Sequence, residues 1–162
     1  MGIHALDLAP ISGGAYGEKP ATAPIVVGID GSSASRKAFD YACRRRGGSG
    51  RVIAVHVDGP GPSWFGASSY QHDGGTGHRF GESLLAELAG HAPYGVHVET
   101  IVVEGSPPSV LLEVAHRYGA AELVVGMHGS DPSTSGLGHV PKALIEASDR
   151  PVVVVPPGAT RS

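Results

Sequence analysis

A single cysteine, Cys43, stands in 162 residues, which rules out an intrachain disulfide and any CxxC metal or redox pair. Charge is sparse too: 17% of the residues are Asp, Glu, Lys or Arg, with 12 basic against 15 acidic. That balance gives no general electrostatic drive toward nucleic acid or an anionic membrane. The one basic run, Arg44-Arg45-Arg46, precedes Gly47-Gly48, where positive charge complements a helix C-terminus. No apolar run approaches the ~20 residues that span a bilayer. The opening MGIHALDLAP has no basic n-region, and Leu6 occupies the position where a myristoylation signal has Ser or Thr. A soluble, cytoplasmic chain is expected.

Familiar catalytic signatures are missing as well. There is no G-x-x-x-x-G-K-[ST], no G-x-G-x-x-G after a strand and no G-x-S-x-G elbow. Nine histidines show no HExxH or two-His-one-carboxylate spacing, so no metal site is expected. A receiver-type phosphorylation domain needs clustered acids after its first strand, and only Asp30 is there.

What the chain has in quantity is punctuation: 25 Gly and 13 Pro. They crowd residues 10–24, 47–50, 58–81 and 126–138 and leave the apolar segments between them intact. The length suits one core. We expect a flexible tail over 1–23, a single domain over 24–158 and a short tail over 159–162.

Ile25–Ile29 is a continuous apolar run, as in a strand buried on both faces. Asp30-Gly31-Ser32-Ser33 then turns the chain and offers a helix N-cap, and a helix of about 13 residues runs to Gly47-Gly48. Arg51–Val57 reads as the second strand, with His56 a satisfied core or sheet-end histidine. The Gly-rich stretch from Asp58 to about Arg79 carries Trp64, Phe65 and Tyr70 and is too long for an ordinary connection. It reads as a mobile lid or a disordered segment.

A helix from Phe80 to about His91 leads to a third strand, Val96–Val103. Ser106-Pro107 is an N-cap and N1 pair, and the helix it opens buries Val110, Leu111, Val114, Ala115 and Tyr118 before Gly119 stops it. Glu122–Gly126, a helix over about Val140–Ser148 and Pro151–Val155 complete the chain. Strands and helices alternate throughout. The expected fold class is therefore α/β, an open parallel sheet with helices on both faces.

Ligands in such a sheet bind beyond the carboxyl ends of the strands, near the switch in strand order. Two segments there have unusual composition. One is the acidic turn after the first strand; the other is the loop Gly126-Met127-His128-Gly129 that runs on to Gly138-His139-Val140. Glycines let a backbone approach phosphate, and a helix N-terminus supplies N–H groups and partial positive charge. A flexible strand-to-helix turn has the same composition.

IVVGIDGSSASRKAFDYA, RVIAVHV, EGSPPSVLLEVAHRYGAAELVVGMHG and GHVPKALIEASDRPVVVVP, in that order, resemble the universal stress protein (UspA-type) family. The resemblance runs from about Ile25 to Pro156. It implies a Rossmann-like, adenine-nucleotide alpha-hydrolase-like fold with five strands in the order 3-2-1-4-5. It also implies a site for ATP or another adenine nucleotide between strands one and four, with Mg only alongside ATP.

Carried over by position, the ligand-binding residues are Ile29, Asp30 and Gly31 after the first strand and Val57 beside the base. From the fourth loop come Gly126, Met127, His128, Gly129, Gly138, His139 and Val140. One branch of the family has the motif G-x2-G-x9-G-[ST]. Here eight residues, not nine, separate Gly129 from Gly138, and His139 replaces the hydroxyl residue with an imidazole, charged only below about pH 6.5 unless shifted. The loop has no Lys or Arg and contains Asp131.

The resemblance further implies a homodimer paired through Pro151–Val155. Four consecutive valines at a sheet edge invite such pairing on physical grounds. With no general base, nucleophile or metal cluster beside the loop, a binding and regulatory module is expected, not an enzyme. A dimer that binds no nucleotide and acts through protein contacts is the alternative. A slow ATPase assisted by Asp30 or His128 is the enzymatic one.

Overall fold

Valine-rich strands and capped helices follow one another along the chain. The computed structural model describes residues 22–59, 76–129 and 136–158. The elements are β1 (Ile25–Gly28), α1 (Ser33–Arg46), β2 (Arg51–Asp58), α2 (Thr76–Gly90) and β3 (His97–Glu104). They continue with α3 (Pro107–Arg117), β4 (Glu122–Gly126), α4 (His139–Ala147) and β5 (Val152–Val155). The tails expected over 1–23 and 159–162 fall almost wholly outside the described residues, as do Trp64, Phe65 and Tyr70.

Local chemistry starts and stops the helices. At α1 the Ser32 hydroxyl accepts the Ser35 N–H at 3.1 Å, satisfying an amide the helix leaves open. Gly47, at φ 41°, closes the other end by donating to the Cys43 carbonyl at 2.9 Å. At α3, Pro107 follows Ser106 as expected, although the Ser106 hydroxyl makes no capping bond. Gly119, at φ 60°, ends that helix.

Most boundaries fall within a residue of the sequence expectation, and one differs by more. Helix α2 begins at Thr76, four residues before Phe80. Gly77 of its first turn lies against the Asp58 carboxylate, so closely that a Cβ would collide with it. Contact with the end of β2 thus accompanies a turn whose glycines gave no helical signal.

All five strands are parallel, in the order β3-β2-β1-β4-β5. Successive side chains of β1 point to opposite faces. Ile25 and Val27 join Phe39, Ala42, Leu84, Leu85 and Leu88 under α1 and α2. Val26 joins Ile53, Val55, Leu111, Val114, Leu123 and Leu144 under α3 and α4. Each such large apolar side chain contributes about 1.5–3 kcal/mol when fully buried. The core holds the central strands rigid, so the loops at their carboxyl ends sit on a fixed frame.

Several polar groups at the amino end of the sheet satisfy one another. Arg51 of β2 bonds Glu99 of β3 at 3.0 Å, and the Tyr118 hydroxyl donates to the same carboxylate at 2.8 Å. Burial, followed by that bond to Glu99, pushes the Tyr118 phenol up to about 12. Arg150, between α4 and β5, has a side chain only 6% exposed. It donates to the carbonyls of Ala115 at 2.6 Å and Ala120 at 3.1 Å, closing the C-terminal end of α3.

Candidate functional site

After β1 the chain crosses to β2 on one side, and after β3 it crosses to β4 on the other. The carboxyl ends of β1 and β4 therefore diverge, and a cleft of about 110 Å³ opens between the loops that leave them.

Short hydrogen bonds pin its first wall. Asp30 Oδ1 accepts the Ser32 N–H at 2.9 Å, and Gly31 turns the chain with φ 85°. The buried Ser35 hydroxyl accepts the Asp30 N–H at 3.3 Å and donates to the Ser32 carbonyl at 3.0 Å. One carboxylate oxygen of Asp30 is thereby anchored, and the carboxylate stands at the cleft.

The second wall is the β4–α4 segment. Met127 donates its N–H to the Val155 carbonyl at 2.8 Å, and Gly138 donates to the Met127 carbonyl at 2.8 Å. These two bonds clamp both ends of the loop. Gly126 is needed for packing: a Cβ there would lie 2.8 Å from Ala34 Cβ and 3.0 Å from Ser35 N. Gly138 is the N-cap of α4, whose first turn, His139-Val140-Pro141, faces the cleft. A helix N-terminus is favourable to anions.

The floor comes from β2, which outruns β1. Gly28 pairs with Val55, Ile29 donates its N–H to the Val55 carbonyl at 2.8 Å, and there β1 ends. Alternate residues of a parallel strand aim their N–H and C=O at opposite neighbours. Val55 aims at β1, while Asp58 accepts the Gly105 N–H from the β3 side at 3.0 Å. Val57 must therefore aim its peptide groups at the β1 side, where the ladder has run out.

The Ile29 carbonyl that would continue the ladder faces His56 Nδ1 at 2.9 Å, which must carry the proton to donate there. His56 is 3% exposed and stacks edge-on against Phe80. Gly81 makes room for the ring, since a Cβ at that position would collide with it. The satisfied sheet-end histidine expected from the sequence is what the structure contains.

Ile29, Asp30, Val57, Gly126, His128, Gly129, Gly138, His139 and Val140 line the cleft together. Gly31 and Met127 do not line it; they act through turn geometry and through the loop clamp. Residues that the sequence did not mark as ligand-binding complete the walls, among them Ser35, Pro107 and Leu111. The last two come from α3, whose apolar stripe was legible only as core. Among the described residues no group of three His, Cys, Asp or Glu side chains is placed to hold a metal ion. No described helix is long and apolar enough to cross a membrane.

Comparison with known proteins gives a consistent result. The model of the universal stress protein family matches residues 22–156. A curated universal stress protein of Mycolicibacterium smegmatis is 36% identical over 149 residues, covering 83% of this chain. The chain spans about half the length of that relative, 46% of it.

Among solved structures, a universal stress protein in complex with cAMP is 26% identical. It superposes with a TM-score of 0.62 over 83% of this chain and 97% of its own. An Arabidopsis thaliana protein of the same family with AMP bound has a TM-score of 0.60 at 18% identity, over 84% of this chain and 92% of its own. Sequence order, sheet order and these matches agree: the chain belongs to the universal stress protein family.

Proposed function

We propose that this chain is a dimeric, cytoplasmic regulatory module that binds ATP or another adenine nucleotide in the cleft between β1 and β4. The observation that carries the reading is the end of the β1–β2 ladder. Val57 offers one N–H and one C=O side by side where β1 has turned away. A base with an adjacent donor and acceptor, such as N6–H and N1 of adenine, meets both. Gly28, Leu111 and Val125 give the same region an apolar wall for a flat ring. The ribose then falls near Asp30, and the phosphate near Gly129 and the first turn of α4. The bound nucleotides of the relatives support this assignment.

Among the described residues no side chain at the cleft pairs a base with a nucleophile, and we assign occupancy itself, not turnover, as the output. For the dimer, β5 lies at the sheet edge with its valines half-buried and its outer backbone unmatched by any described strand. Pairing through Pro151–Val155 would cover it. A monomer in sedimentation at micromolar concentration refutes that part.

The nucleotide reading is tested by calorimetric titration of adenine nucleotides into protein refolded free of carried-over ligand. Saturable one-site binding that is lost in Gly129→Val is expected. Folded protein that gives no heat up to millimolar nucleotide overturns the proposal.

A further inference from the structure

We infer that His56 is a positioning residue for the cleft: its imidazole holds the Ile29 carbonyl out of the β1–β2 ladder and so keeps the Val57 N–H open to a ligand base. The inference rests on the nucleotide reading above and concerns how the chain prepares that site.

The ladder shows where the diversion occurs. Gly28 is paired with Val55, and the Ile29 N–H still reaches the Val55 carbonyl at 2.8 Å. The next rung of a parallel pair runs from the Val57 N–H to the Ile29 carbonyl. That carbonyl instead accepts from His56 Nδ1 at 2.9 Å. The break therefore falls within one residue, between an N–H that is in register and a C=O that has left. Ile29 is buried, so its carbonyl needs a donor inside the protein. Two donors lie along the same stretch of β2, the Val57 amide and the His56 imidazole, and the imidazole has it.

The place of the ring explains how. His56 projects to the face of the sheet covered by α2, where it meets Phe80 and Gly81. A carbonyl drawn to that face leaves the plane in which strands pair. Helix α2 is shaped to this ring. Gly81 stands in the helix interior, where glycine is the least favourable residue after proline, and any Cβ there would collide with the imidazole. Phe80 sets its ring edge-on to the imidazole, with centroids 5.7 Å apart at 70°. The same phenyl ring lies by the turn after β1, since a Cβ on Gly31 would be 3.4 Å from it. A glycine and an aromatic thus fix the imidazole beside the end of β1.

With the Ile29 carbonyl held by His56, the Val57 N–H needs another acceptor. Val57 lines the cleft, and a ligand there can supply one. N1 of adenine accepts the N–H while N6–H donates to the Val57 carbonyl. Without the imidazole the ladder runs one rung further and takes that donor from the ligand.

The first test uses the unaltered full chain, refolded free of carried-over ligand. Amide hydrogen exchange followed by NMR should show the Val57 N–H exchanging at least ten-fold faster than that of Val55. Saturating AMP should slow it at least ten-fold. A Val57 amide as protected as Val55 without ligand overturns the inference, as does bound AMP that leaves its exchange unchanged. AMP that fails to bind while Val57 exchanges as expected overturns the nucleotide reading alone.

Two variants test the cause. His56→Phe keeps a ring in place without the donor, and His56→Asn returns an amide N–H near the position of Nδ1. In ligand-free His56→Phe the Val57 amide should slow at least ten-fold. The parent should prefer AMP at least ten-fold over its 1-deaza analogue, which lacks N1. His56→Phe should lose that preference and His56→Asn should restore it. General loosening of the fold would weaken both ligands alike and leave their ratio unmoved. A preference that survives in folded His56→Phe, or that folded His56→Asn does not restore, overturns the inference.

Discussion

The two ends of this one sheet are built on opposite plans. At the amino end, arginine and carboxylate side chains meet each other and the ends of helices. Arg51 and Tyr118 share Glu99, and Arg150 closes the carbonyls that follow α3. At the carboxyl end the strands give way to glycines, imidazoles and one anchored aspartate around an open cleft. Polar groups paired with one another stiffen a fold but offer little to a ligand. An end that leaves peptide groups and a helix terminus facing a cleft gives up that satisfaction and gains a place for one. The core between them is the same for both, so the difference lies in the segments beyond it.

Substitutions at either end separate the two plans. Arg150→Ala removes a buried guanidinium and strands the Ala115 and Ala120 carbonyls, an expected loss of about 2–3 kcal/mol in urea unfolding. Nucleotide affinity of the folded variant should not move. A parallel loss of affinity would break the comparison, because the amino end would then be supporting the site.

Gly126→Ala is expected to cost less, about 1–2 kcal/mol, since its Cβ forces β4 and the start of α1 apart. Unlike Arg150→Ala, it should also weaken nucleotide binding, because Asp30 and Ser35 ride on that contact. Stability lost with affinity retained would show that the first wall is not set by this packing.

Glu99→Gln should cost about 1 kcal/mol or less, from a half-exposed ion pair. Its clearer readout is Tyr118, whose phenol should fall from about 12 toward the ordinary tyrosine value near 10. In the unaltered protein the raised value favours the protonated phenol in the folded state. That contribution is complete below about pH 10 and is lost as pH rises toward about 12. Thermal melting across that window should show a shallower decline in Glu99→Gln than in the parent. Identical slopes would count against the Glu99 contact as a cause of the shift.

Much of the architecture was legible before any coordinates. Ile25–Ile29 and the four valines of β5 read as strands of a parallel sheet, and Ser106-Pro107 and Gly119 marked the ends of α3 because capping is local. The start of α2 was not legible. Thr76-Gly77 carries no helical pattern, and its helical turn lies against Asp58, which comes from the other end of a long connection. The candidate site divides the same way. Asp30 and the glycines near residue 126 stood out by composition, while Ser35, Pro107 and Leu111 looked like ordinary cap and core residues. The partner of His56 was hidden for a related reason, since the Ile29 carbonyl it holds is distant in sequence.

The sequence by itself determined the alternation of strands and helices, their faces and most of their caps, because periodicity and capping act within a few residues. It also determined the family, through motifs kept in order. Only the tertiary structure decided where β1 stops pairing with β2, which turns Val57 toward the cleft, and how closely β4 approaches α1 at Gly126. Those outcomes depend on strands and helices brought together from distant parts of the chain, where the contact itself sets the geometry.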